Sequence, residues 1–126
     1  MFLEKLERFA KGSGMGLESA LRELCERRRI PVGQVARDLK SPKREVFFWA
    51  DAFGISIEDL PPKAIASARR RKVSLRDYFL KNFGQGVGWM AEDLGVAFTT
   101  VEEYYAVFSG GEAWRMEHDG RRGRKA

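Results

Sequence analysis

Apolar residues recur at helical intervals along almost the whole chain. Phe2, Leu3, Leu6, Phe9 and Ala10 form one stripe of a short helix. Lys11-Gly12-Ser13-Gly14-Met15-Gly16 breaks it, because closely spaced glycines cost too much backbone entropy inside a helix. Leu17, Ala20, Leu21, Leu24 and Cys25 make a second stripe that ends at Arg27-Arg28-Arg29, ahead of Pro31. Val32, Val35, Ala36 and Leu39 predict a third helix. Ser41-Pro42 reads as a start signal, with Ser at the N-cap and Pro at the first helical position. Val46, Trp49, Ala50 and Phe53 supply the apolar face that follows, and Gly54 closes it. Ser56 and Asp59 form a variant capping box, but Pro61-Pro62 leaves room for only a short turn. The Ala- and Arg-rich segment 64–71 predicts another helix. No window alternates with period two between hairpin turns, so the expected fold class is all-α.

The pattern repeats. Leu21-Arg22-Glu23-Leu24 returns as Leu75-Arg76-Asp77-Tyr78. Val35-Ala36-Arg37-Asp38-Leu39 returns as Met90-Ala91-Glu92-Asp93-Leu94, and Val46, Trp49 and Phe53 return as Val101, Tyr104 and Phe108. Two copies of a three-helix unit account for the length. The expected organisation is an N-terminal helix and Gly-rich linker (1–16), a first unit (17–62), a basic helical linker (63–73), a second unit (74–111) and a basic tail (112–126).

Each copy holds a small residue, a turn residue four positions on, and a β-branched residue six positions later: Ala36, Lys40 and Val46, then Ala91, Gly95 and Val101. Ala lets two helices approach, Gly takes the positive φ of the tight turn, and Val packs the second helix on the first. This spacing resembles the helix-turn-helix of bacterial and phage DNA-binding regulators. The first copy, with Leu21 to Arg29 as opening helix and residues 53–60 as closing stretch, resembles the phage Cro/repressor-type domain. The doubling is similar to that of the arabinose-operon activator family. Lys40 stands where Gly is usual, so a looser turn is expected in copy one.

The resemblance implies that the second helix of copy one meets the major groove of double-stranded DNA through its first turn. The candidate residues are Arg37, Lys40, Ser41, Lys43, Arg44 and Phe47. Arg pairs bidentately with guanine, Lys reaches guanine or phosphate, and Phe contacts a thymine methyl. Copy two presents Phe98, Glu102, Glu103 and Tyr105, where carboxylates would repel phosphates. Those four residues read instead as a surface for a second copy of the chain or for a protein partner.

Charge separates the copies further. Of 126 residues, 23 are Lys or Arg and 18 Asp or Glu, a net +5. Residues 73–119 hold only three basic side chains against eight acidic ones, so the positive balance lies elsewhere. It lies in copy one, in Arg69-Arg70-Arg71-Lys72, and in the tail with Arg121, Arg122 and Arg124, which read as phosphate-holding segments. A Gly- and Arg-rich tail is expected to be irregular on its own.

Composition excludes other chemistry. One cysteine and one histidine rule out a disulfide framework and the Cys- or His-rich metal centres. No metal and no cofactor is expected. Gly84-Gln85-Gly86-Val87-Gly88 lacks the preceding strand and following Lys-Ser/Thr of a phosphate loop. Cys25 sits on an apolar stripe and His118 has no nucleophile in a motif, so no enzyme is expected. No apolar run reaches the ~18 residues of a membrane span. The first five residues lack the basic start of a signal peptide, so a reducing cytoplasm is expected. The sequence thus predicts a sequence-specific DNA-binding regulator. The alternatives are an adaptor that binds a polymerase or phage-assembly partner through copy two, or a DNA-packaging or replication accessory.

Overall fold

The computed structural model describes the backbone of residues 2–125 and the side chains of residues 2–12 and 14–117. Among these residues there is no strand, and the chain is all-α. The helices are α1 (Phe2–Ser13), α2 (Leu17–Arg22), α3 (Val32–Asp38), α4 (Lys43–Ala52), α5 (Lys63–Arg70), α6 (Leu75–Asn82), α7 (Val87–Leu94) and α8 (Phe98–Lys125). A π-helical segment, Glu23–Arg27, continues α2, and a 3-10 turn, Phe83–Gln85, follows α6.

The ends of α1, α3, α4, α5 and α7 follow one local rule. A residue with positive φ stops the helix, and the next amide bonds back to a carbonyl five positions earlier. Gly14 ends α1 in this way, inside the Gly-rich stretch where the sequence predicts a break. Gly54 ends α4 as expected. Helix starts depart from expectation at two places. Pro42, not Ser41, is the N-cap residue of α4, and the Ser41 hydroxyl donates to the Leu39 carbonyl at 3.0 Å. Asp59 does not cap a turn of its own. Its carboxylate accepts from the amide of Val32, 27 residues away, at the start of α3.

The core is one continuous cluster running from Phe2 to Trp114. α1 lies on α2, and α3 on α4; α7 lies on α8. α4 then packs against both α6 and α8, which joins the two halves. Consequently α4 is not amphipathic in the way a surface helix is. Val46, Phe48, Trp49, Ala50 and Asp51 are all buried, a pattern that belongs to a helix enclosed by neighbours. Phe48 sits at the centre, with ring centroids 5.0 Å from Trp49, 6.2 Å from Phe79 and 6.4 Å from Tyr104.

Two sets of contacts fix the direction of α8. Arg76 bridges Glu112 at 2.7 Å, and Phe79 stacks near Phe108 and Tyr105, so α6 and α8 run antiparallel. Pro42 and Arg44 share a groove with Glu102 and Glu103, Gly111 meets Trp49, and Arg115 lies over the rings of Trp49 and Phe53. α4 and α8 therefore run parallel. Gly111 is what lets them touch, because a Cβ there would lie 2.0 Å from Trp49 Cζ2. The break expected after residue 111 does not occur; α8 passes through Gly110-Gly111 without interruption.

The basic linker has a structural task. Asp51 is buried in α4 and accepts from Arg69 Nε at 3.1 Å and from the amide of Leu75 at 2.8 Å. The Ser67 hydroxyl donates to the Leu94 carbonyl at 2.8 Å, and Arg71 Nη2 to the Asp93 carbonyl at 2.5 Å. These bonds satisfy carbonyls that the C-terminus of α7 leaves open. Among the described residues, no helix is long and apolar enough to cross a membrane.

Candidate nucleic-acid interface

The interface is built around the turn between α3 and α4. Lys40 takes φ +49°. Its amide bonds to the Arg37 carbonyl at 3.1 Å, and the Ser41 amide to the Ala36 carbonyl at 2.9 Å. At the equivalent place in the second half, Gly95 takes φ +71°, and its amide and that of Val96 bond to the carbonyls of Glu92 and Ala91 at 3.2 and 3.1 Å. The two turns share these two bonds, and the Gly95 amide bonds in addition to the Ala91 carbonyl at 2.9 Å. Lys40 adopts the left-handed conformation at a steric cost that glycine avoids.

This turn gathers positive charge. Arg37, Lys40, Lys43 and Arg44 are exposed. Lys5, from α1, joins them and donates to the Lys40 carbonyl. Sequence reasoning misses Lys5, because only the packing of α1 against α2 carries it to the turn. Lys43 folds across the first turn of α3, where a Cβ on Gly33 would lie 3.2 Å from Lys43 Cε. Arg37 Nη2 donates to Gln34 Oε1 at 2.9 Å, and Gln34 donates in turn to Asp38 at 2.7 Å, so Arg37 is partly tethered.

Beyond its first turn, α4 has little to offer a ligand. Phe47, expected to touch a thymine methyl, is only half-exposed and packs on the core. From Val46 to Asp51 the helix is otherwise buried by α3, α6 and α8. Arg44 lies in an open groove lined by Pro42, Glu45, Glu102, Glu103, Ala106 and Val107. No ion pair joins Arg44 to these glutamates among the described residues. Burial pushes the Glu45 carboxyl up, against the pull of Arg44 and Lys5. Burial likewise pushes the Tyr104 phenol up to about 12, with Arg44 opposing.

The linker residues divide. Arg69 and Arg71 are tethered by Asp51 and by the end of α7, although both side chains stay partly exposed. Arg70 and Lys72 are exposed and make no ion pair among the described residues. Arg121, Arg122 and Arg124 lie where side chains are not described, and the backbone to Lys125 continues α8 instead of forming the expected irregular tail.

Of the four residues of the expected partner surface, Phe98, Glu102 and Tyr105 are spaced i, i+4, i+7 along α8 and share one side of it. Phe98 is exposed at the start of α8. Glu102 and Glu103 line the groove beside α4. Tyr105 packs on Phe79 and Phe108, with centroids at 5.4 and 5.6 Å, and serves the core. Exposed apolar side chains do occur elsewhere in this half, at Leu80, Phe83 and Trp89.

Cys25 is buried, and its thiol is pushed up to about 11 by burial, then by Asp59 and Glu26. That is the opposite of a nucleophile's environment. Among the described residues no group of three His, Cys, Asp or Glu side chains could hold a metal. Compared with protein-family models, with curated proteins and with solved structures, the chain matches none.

Proposed function

We propose that the protein binds double-stranded DNA through the α3–α4 turn and the first turn of α4, and that it acts as a transcriptional regulator in the cytoplasm. One observation carries the reading. Lys5, Arg37, Lys40, Lys43 and Arg44 converge on a tight left-handed turn between two short helices, and none of them is enclosed by the core. Phosphate neutralisation by such a cluster supplies sequence-independent affinity. Lys43 and Arg44 stand in the first turn of the second helix, and in this reading they meet the base edges. Because α4 is buried from its second turn onward, base readout is confined to these two residues and the turn, and the bound site is short. Arg70 and Lys72 extend the phosphate contacts; Arg69 and Arg71 do not.

The test is the affinity of Lys43→Ala/Arg44→Ala for duplex DNA across a salt series. Each lost phosphate or base contact costs about 1–3 kcal/mol or about one unit of salt slope. Unchanged affinity and slope would overturn the reading.

A second reading rests on the exposed Leu80, Phe83, Trp89 and Phe98. It makes the second half a protein-binding surface, as an adaptor would need. It predicts that Phe83→Ser and Trp89→Ser leave DNA affinity unchanged and abolish capture of that partner.

A further inference from the structure

The groove that holds Arg44 contains its opponents. Glu102 and Glu103, from the second turn of α8, line the same cleft as Pro42, Arg44 and Glu45, together with Ala106 and Val107. Arg44, Glu102 and Glu103 are exposed, Glu45 is half-buried in the same groove, and no ion pair among the described residues neutralises any of them. The parallel packing of α8 on α4 makes this juxtaposition, through Gly111 against Trp49 and Arg115 over Trp49 and Phe53. It is not a feature of either motif alone.

We propose that Glu102 and Glu103 are specificity-determining residues of the DNA interface, acting by repulsion. The inference rests on the DNA reading given above. A phosphate that approaches Arg44 comes well within a Debye length of both carboxylates, roughly 8–10 Å at ordinary salt. The approach is therefore penalised for every sequence alike. A base edge carries no net charge, so a guanine that offers two acceptors to Arg44 escapes most of that penalty. The pair thus lowers non-specific affinity more than specific affinity, which raises the ratio between them. An exposed carboxylate at the rim of a basic cluster reduces overall affinity, and its useful effect is discrimination.

The experiment compares the full chain with Glu102→Gln, Glu103→Gln and the double variant. Each binds a mixed-sequence duplex and the best duplex selected by the wild type, at low and at high salt. Glu92→Gln is the control, since Glu92 is exposed on α7 and its loss changes net charge as much as either single groove variant. The double variant should bind mixed-sequence DNA about five- to tenfold more tightly at low salt, with a gain that shrinks at high salt. Its preference for the selected duplex should fall by a similar factor. Equal gains for Glu92→Gln and the single groove variants overturn the proposal, because net charge alone then explains them. Unchanged affinity in the double variant overturns it too, while Arg44→Ala still weakening the wild type leaves the DNA reading intact. Absence of any binding by the wild type overturns both.

Discussion

Gly110 and Gly111 are neighbours on α8 with opposite surroundings, and this makes them a sensitive test of how the two halves of the chain join. Gly110 is exposed and nothing lies within 4 Å of the Cβ it lacks. Gly110→Ala therefore gains helix propensity alone, about 1 kcal/mol of stability. Gly111→Ala gains the same propensity but sets its methyl 2.0 Å from Trp49 Cζ2 and 2.5 Å from Cη2. The indole cannot give way cheaply: Trp49 is 1% exposed and stacks edge-on against Phe48. Relief requires α8 to move off α4, at the upper end of the roughly 1–3 kcal/mol that overpacking costs. The net effect is a loss of about 2 kcal/mol, so the two variants should differ by about 3 kcal/mol. Urea denaturation followed by circular dichroism measures this difference. Equal stability of the two variants would refute the parallel packing of α8 on α4, and with it the groove that brings Glu102 and Glu103 to Arg44.

Three further outcomes are expected. Asp51→Asn should destabilise the fold by about 1–2 kcal/mol, because the two carboxylate oxygens each accept one bond, from Arg69 and from the Leu75 amide, and a side-chain amide keeps only one accepting atom. Burial raises the Asp51 pKa in the folded state despite those bonds. The wild type should therefore lose stability relative to the Asp51→Asn variant as pH rises from the ordinary carboxylate value through the raised one, and a pH-independent difference would contradict this. Cys25, with its thiol pushed up to about 11 from 9.0, should alkylate at pH 8 at least ~100-fold more slowly in the folded protein than in urea, as mass spectrometry would show. Lys40→Gly relieves the left-handed strain at φ +49° and should raise thermal stability by about 0.5–1 kcal/mol while weakening DNA binding; a variant that loses stability, or that binds DNA as well as before, contradicts the role given to Lys40.

Periodicity alone locates the helices, because a buried stripe leaves its spacing in the sequence. The place of both turns is legible too, from the spacing of Ala36, Lys40 and Val46 and its repeat in Ala91, Gly95 and Val101; positive φ is expected at Gly95 and occurs at Lys40 as well. What periodicity does not carry is the partner of each face. Val46, Trp49 and Phe53 read as one apolar stripe, yet Phe48 and Asp51 are buried as well, since α6 and α8 close over sides the stripe leaves open. Phe47 reads as a DNA contact for the same reason, and packs on the core instead. Arg69 and Arg71 look equivalent to Arg70 and Lys72 in sequence, and only the positions of Asp51 and of the last carbonyls of α7 separate them. The second unit is expected to end at residue 111, yet α8 runs on through Gly110-Gly111, and the close crossing on Trp49 needs the glycine at 111. Lys5 joins the candidate interface through tertiary packing with no local signal at all.

The location of DNA on the protein tests the central claim most directly. Amide resonances of the labelled full chain can be followed while a short duplex is added at low salt. Shifts should concentrate at residues 37–44, at Lys5 and at Arg70 and Lys72, with little change at Leu80, Phe83 and Trp89. Shifts centred on the second half, or none at saturating duplex, would contradict it.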